Sequence, residues 1–291
     1  VRKKKYVDDL RPGDIEILED GVPQKLGFFE GGKGAPRTVP VEIVLLFDTS
    51  LSVMNSGLLD AFVFKQNVLD GLPHASISVY AFNNRLKRFT GPTRDLEALK
   101  RAFQGVEGYA RGGTRLYEAV MQTAKDRSSG AGNASRLMLI FSDGFPTTDT
   151  KPENTARVAR HFGIPLYPVV LGHQQLIEQA RNAQQRAMNR RGMPNPNAMD
   201  RLDRIRDKER EIQEFAQLGE MTGGRGYDPR DVNSDVIRRL LTGLVEQVQA
   251  EYVVGYYPAA SSGPQRARKL EVRLRAVELG KIYGGARVLV R

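Results

Sequence analysis

The chain comprises 291 residues, with 44 Lys and Arg against 34 Asp and Glu for a formal net charge of +10 at pH 7, and 40% of it is hydrophobic. An apolar fraction of that size offsets the entropy lost on ordering, so disorder over most of the length is excluded. No apolar run approaches the ~18 residues of a membrane span, and the absence of cysteine removes disulfides, thiolate nucleophiles and Cys-ligated zinc or iron–sulfur centres.

At the amino end Pro12-Gly13 marks a turn, Ile15 and Ile17 alternate with charges, and Asp20-Gly21 joins that run to residues 24–29, the signature of a hairpin. Residues 31–40 read as a linker. From residue 41 to about 250, short apolar runs alternate with helical patterns, which predicts βαβ units in a doubly wound, mainly parallel sheet flanked by helices. The predicted strands are 41–47, 75–82, 136–141 and 165–171, and their continuous apolarity predicts burial on both faces. Between them lie amphipathic stretches, one carrying Leu58, Phe62 and Leu69 and another Leu116, Val120 and Ala124. The clearest carries Val236, Ile237, Leu240, Leu241, Leu244, Val245 and Val248, with Asn233 or Ser234 as its N-cap. Residues 173–211 break the alternation: they are rich in Gln, Asn, Arg and Met, hold Pro194 and Pro196, and read as an inserted helical hairpin or partly mobile loop on the sheet's rim. Beyond them, 252–257, 269–276 and 286–290 are strand-like. The two chain ends are therefore expected to meet in a small antiparallel β domain, dividing the chain into 1–37, an α/β domain over 38–250 and 251–291.

Arg2, Lys3, Lys4 and Lys5 crowd one end, and the tail carries further basic residues, but those alternate with Leu270, Val272 and Leu274 as in a half-buried strand with a solvated face. No RNA-binding aromatic signature or DNA-reading helix accompanies them, so a nucleic-acid partner is not expected. The chain opens at Val1 without an initiator Met and is read as trimmed of any signal sequence, which fits a secreted, periplasmic or cell-surface protein.

The informative residues stand where apolar strands stop. Asp48 follows the first core strand directly, and Asp143 follows the 137–141 run after one residue; in open parallel sheets that carboxyl edge is where ligands bind. In Asp48-Thr49-Ser50-Leu51-Ser52 a carboxylate and two hydroxyls occupy alternate positions, and Thr114 follows Gly112-Gly113 at the start of a helix. Every donor is an oxygen, which points to a hard cation, Mg2+, Mn2+ or Ca2+, rather than zinc or copper.

These residues resemble the von Willebrand factor A domain family, whose metal-ion-dependent adhesion site combines a DxSxS loop with a distant Thr and a distant Asp. The five positions correspond to Asp48, Ser50, Ser52, Thr114 and Asp143, although Leu51 stands where the family usually has Gly. The context also matches at Leu45-Leu46-Phe47, Gly112-Gly113-Thr114 and Phe141-Ser142-Asp143-Gly144. The flanking Leu18-Glu19-Asp20-Gly21-Val22-Pro23-Gln24 and Tyr252-Val253-Val254-Gly255-Tyr256-Tyr257-Pro258 resemble a bacterial subfamily. The resemblance implies a divalent ion held by hydroxyls and usually one carboxylate, electropositive enough to take a carboxylate oxygen from a partner protein's Asp or Glu. It also implies a last helix that shifts when the ion changes ligands.

An enzyme is not expected. A haloacid-dehalogenase-type phosphatase needs a second Asp where Ser50 stands, a subtilisin-like protease needs His and Gly-Thr-Ser motifs that do not occur, and GxSxG, Walker A and HExxH motifs are absent. His74, His161 and His173 fall in a turn, on a helix and after a strand. A metal-independent structural scaffold is the main alternative.

Overall fold

The computed structural model describes residues 7–32, 38–50, 60–109, 112–128, 134–188, 196–229, 233–258 and 269–282. Ser52, Leu51, Leu58 and the strand expected at 286–290 lie outside these residues.

The chain begins with β1 (Ile15–Glu19), β2 (Val22–Gln24) and β3 (Leu26–Glu30). Asp20 and Gly21 join the first two with φ of 50° and 83°, the left-handed pair that a two-residue turn between right-twisted strands requires. The core follows with β4 (Val41–Asp48), α1 (Ala61–Phe64) running into a π-helical turn over Lys65–Leu69, β5 (Ala75–Phe82), β6 (Leu86–Thr93) and α2 (Leu96–Glu107). Then come α3 (Leu116–Ser128), β7 (Ser135–Ser142), α4 (Pro152–His161), β8 (Leu166–Val170), α5 (His173–Met188), α6 (Pro196–Thr222) and α7 (Ser234–Gln249). The chain returns through β9 (Val253–Tyr256) and β10 (Leu270–Leu274).

The central sheet has the order β6-β5-β4-β7-β8. All its pairings are parallel except that of β6, an antiparallel edge strand on β5. β4 is buried at every position, as a strand covered on both faces must be. Alternation then sorts its side chains. Ile43, Leu45 and Phe47 join Ile77, Val79, Leu139 and Phe141 under α2 and α7, whereas Val44 and Leu46 join Tyr80, Met138 and Ile140 under α3, α4 and α6. The result is three layers, helices on both faces of one sheet. α7 buries the stripe read from its spacing, and Asn233 caps it by accepting a 3.0 Å hydrogen bond from the Val236 N–H.

The two chain ends pair as antiparallel strands in two small sheets, β10-β1-β2 and β3-β9. Tyr252, just past α7, packs its ring at a tilt against Phe29, with centroids 5.6 Å apart, and accepts a 3.1 Å hydrogen bond from the Leu10 N–H through its hydroxyl.

The 173–211 segment, expected as a helical hairpin or partly mobile loop on the rim, forms α5 and most of α6, two helices in contact with each other, and α6 continues to Thr222 against β8. Ile205, Ile212, Phe215 and Leu218 are buried with Leu166 and Val170, because their spacing returns to one helical face every three or seven residues.

Candidate metal centre

Period-two alternation along β4 puts Asp48 on the same face as Leu46 and opposite Ser142 of β7, since Phe47 pairs with Phe141. Asp48 is fully buried. Its Oδ1 accepts a 2.9 Å bond from the Ser50 N–H, and its Oδ2 accepts a 2.7 Å bond from the Ser142 hydroxyl. Asp143 follows Ser142 at the strand end, where its Oδ1 accepts from the Phe145 N–H at 3.2 Å and the Gly144 N–H donates back to Ser142 Oγ at 3.1 Å.

Thr114 belongs to the same edge through two links. Its N–H donates to Thr147 Oγ1 at 3.1 Å, and its carbonyl accepts from the Thr147 N–H at 2.9 Å. The next residue, Arg115, donates its N–H to the Asn83 carbonyl at 3.1 Å. Asn83 in turn donates to the Tyr109 carbonyl at 3.2 Å and to Thr49 Oγ1 at 3.4 Å, while Thr49 donates both its N–H and its hydroxyl to the Phe82 carbonyl at 2.9 Å. These hydrogen bonds, together with the chain segments 48–49, 114–115 and 142–147, tie the ends of β4, β5 and β7 to the loop before α3. Asp48, Ser50, Thr114 and Asp143 thus stand at one edge of the sheet, each buried to at least nine-tenths.

Further residues brace this edge. Glu118, one turn into α3, accepts from Thr148 Oγ1 at 3.0 Å and Thr150 Oγ1 at 2.7 Å, pinning the strand-to-helix loop that carries Thr147. From the other side α6 closes over Gly144, where an added Cβ would lie 3.2 Å from Phe215.

Residues 42–199, more than half of the chain, match the von Willebrand factor type A domain. The chain belongs to that family. No curated protein matches it. Among solved structures it is similar to the pilus adhesin SpaC of Lactobacillus rhamnosus GG, with 12% identity and a TM-score of 0.51 over 84% of this chain and 36% of the adhesin. It is also similar to the hypothetical protein BatB of Bacteroides thetaiotaomicron, with 14% identity and a TM-score of 0.46 over 72% of this chain and 98% of BatB. At 12% identity the likeness to the adhesin concerns the fold alone.

In this von Willebrand factor A domain the donor set suits a hard cation. Among the described residues no three His, Cys, Asp or Glu converge into a group that could hold a metal ion of any kind; what the edge offers is carboxylate and hydroxyl oxygens, the donor type of hard cations. Burial pushes the Asp48 carboxyl up from 3.8 to about 6, with the charge of Asp143 adding to it and the bonds from Ser142 and Ser50 opposing. The described residues give Asp48 the Ser142 hydroxyl and both the backbone and the side chain of Ser50 as hydrogen-bond partners. A carboxylate buried among hydroxyl oxygens is of the chemistry that suits a hard divalent ion.

The sign of the pH effect follows. With its folded pKa above the unfolded value, Asp48 binds its proton more tightly in the native state, so the metal-free domain loses stability as pH rises from about 4 through about 6. Asp48→Asn is expected to stabilise the metal-free protein at pH 7.5 by up to about 3 kcal/mol, at about 1.4 kcal/mol per pKa unit between the folded and unfolded values, seen as a higher melting temperature, and to leave it nearly unchanged near pH 4. Thermal melts in chelator at both pH values check this; an Asn variant less stable at pH 7.5 would contradict it.

Read from sequence, Ser142 is only part of the Asp143 context and Asn83 goes unnoticed; the polar run Asn83-Asn84-Arg85 directly after β5 is the signal that could have found it.

Proposed function

We propose that this chain is a divalent-metal-dependent protein-interaction module of the adhesion or assembly class. In this reading Mg2+, with Mn2+ or Ca2+ as substitutes, is held by Asp48, Ser50, Ser52, Thr114 and Asp143. The bound ion supplies an electrophilic position for a carboxylate oxygen of a partner's Asp or Glu. The chain's own side chains supply the rest: Ser142 and the Ser50 N–H hold the Asp48 carboxylate in one orientation, and Thr147 holds Thr114 beside the Asp143 loop. The observation that carries the proposal is the set of hydrogen bonds that ties the ends of β4, β5 and β7 to the loop before α3 and so brings four of the five donors to one sheet edge. Family membership supports it, since the matched residues include all five positions.

A secreted, periplasmic or cell-surface setting belongs to the same proposal, and a chain without cysteine is indifferent to the oxidising conditions there. Among the described residues no helix is long and apolar enough to cross a membrane. Calorimetric titration of Mg2+ and Mn2+ into wild type and Asp48→Ala tests the metal reading. Binding is expected for wild type only, and equal affinity in both proteins would overturn a centre built on Asp48.

A further inference from the structure

The rim beside the metal centre is not electrically neutral. The turn from β5 to β6 packs on the loop that carries Thr114: Arg115 bonds to the Asn83 carbonyl, and Gly113, at φ +89°, lies so close to Asn84 that an added Cβ would sit 1.9 Å from its Oδ1. Arg85 follows directly in that turn and is exposed, as is Arg115 on the opposing loop. Its N–H bonds to Asn83 Oδ1 at 3.0 Å, and the Tyr109 hydroxyl donates to its carbonyl at 3.3 Å, so the backbone that presents the guanidinium is held at three points of one small cluster. Lys87, one residue into β6, lies 4.7 Å from the centroid of Phe89 and 5.4 Å from that of Tyr109.

Three cations are thus mounted on one side of the centre. Among the described residues no carboxylate forms an ion pair with Arg85 or Lys87, and the acid that meets Arg115 does so at 3.9 Å. That acid, Glu118, already accepts bonds from Thr148 and Thr150. The rim therefore keeps its positive field, and aromatic contacts restrain the Lys87 ammonium before a partner arrives, which reduces the ordering entropy of binding.

We infer that the rim formed by Arg85, Lys87 and Arg115 reads an acidic segment of the partner protein, with one carboxylate on the ion and neighbouring carboxylates on these three side chains. This rests on the metal-dependent reading above and adds to it the partner's chemistry: a run of acidic residues rather than a lone Asp or Glu. An acidic peptide is favoured over nucleic acid because the position beside the rim is the one proposed to take a carboxylate. Complementary charge would act mainly on specificity and association rate.

The test uses the full chain and a fluorescent poly-aspartate peptide, beside a control peptide with a single Asp among Gly and Ser. Fluorescence anisotropy is measured with Mg2+ and with chelator, for wild type and for the Arg85→Ala/Lys87→Ala/Arg115→Ala variant. Wild type with Mg2+ is expected to bind poly-aspartate more tightly than the control, with affinity falling as salt rises; the triple variant is expected to lose about tenfold while binding Mg2+ as wild type does. Unchanged melting temperature in the variant shows that the loss is not unfolding. If wild type binds no Mg2+, the metal reading fails and this inference with it. If Mg2+ binds but the variant holds the peptide as well as wild type, or duplex DNA displaces the peptide and binds regardless of Mg2+, the acidic-partner inference alone is overturned.

Discussion

Glu42→Ala is expected to lower stability by about 3–5 kcal/mol, the range for removing one member of a buried ion network. Glu42 starts β4 on the face that Asp48 ends, and its side chain is 3% exposed. Arg127 of α3 reaches it twice, through Nε at 2.7 Å as an ion pair and through Nη2 in a well-aligned 3.0 Å hydrogen bond. Arg136 of β7 donates from Nε to Oε2 at 3.1 Å, and Ser78 of β5 donates its hydroxyl to Oε1 at 2.5 Å. One carboxylate thus ties three adjacent strands and a helix at the amino edge of the sheet. Alanine would leave two largely buried guanidinium groups without their anion, and desolvated charge without a partner is what makes such removals severe. Urea denaturation should show the loss as a lower midpoint at unchanged slope. A change below 1 kcal/mol, the scale of a surface ion pair, would show that the network is hydrated rather than buried.

The second large effect lies behind the candidate site, on the other face of the sheet. Phe47 and Phe141 stack at 4.9 Å and 11°, and Phe64 and Phe103 meet Phe47 edge-on at 6.5 and 5.7 Å. These two stacked rings are the residues immediately before Asp48 and Ser142 and point to the opposite face of the sheet, so they fix the two strand ends that carry the hydrogen-bonded pair. Phe141→Ala is expected to destabilise by about 3–5 kcal/mol through lost burial and the cavity left behind. It should also weaken Mg2+ binding by releasing the strand end that carries Ser142, whereas Phe141→Leu should recover most of both. Denaturation combined with Mg2+ titration checks the pair of effects. A Phe141→Ala protein that keeps full stability would show that these rings do not hold the strand ends.

Legibility of the fold tracked burial. The four parallel core strands are continuous apolar runs because both faces are covered by helices, and that pattern survives in one sequence. β6 does not read this way: it pairs only with β5 and carries Lys87, Arg88, Gly91 and Pro92 within eight residues. An edge strand may spend half of its surface on solvent without losing its pairing. α6 misled for the opposite reason. Its first half is charged around most of its circumference, and the buried positions Ile212, Phe215 and Leu218 declare a core face only when the helix is followed beyond residue 211. At the site, Asp48 and Asp143 were visible because a carboxylate directly after an apolar strand marks a sheet edge. Glu118 was not, since its partners Thr148 and Thr150 lie 30 and 32 residues away and nothing local distinguishes it from any helical surface acid.

Anomalous scattering from a crystal soaked in Mn2+ examines the central claim most directly. We expect one strong peak at the carboxyl edge of β4 and β7, within coordination distance of Ser50 and Ser52, with Thr114, Asp48 and Asp143 around it directly or through water. A crystal with full Mn2+ access and no peak there, with Asp48 still bonded to Ser142 and Ser50 alone, would contradict a metal-dependent function and leave a von Willebrand factor A fold that works by other means.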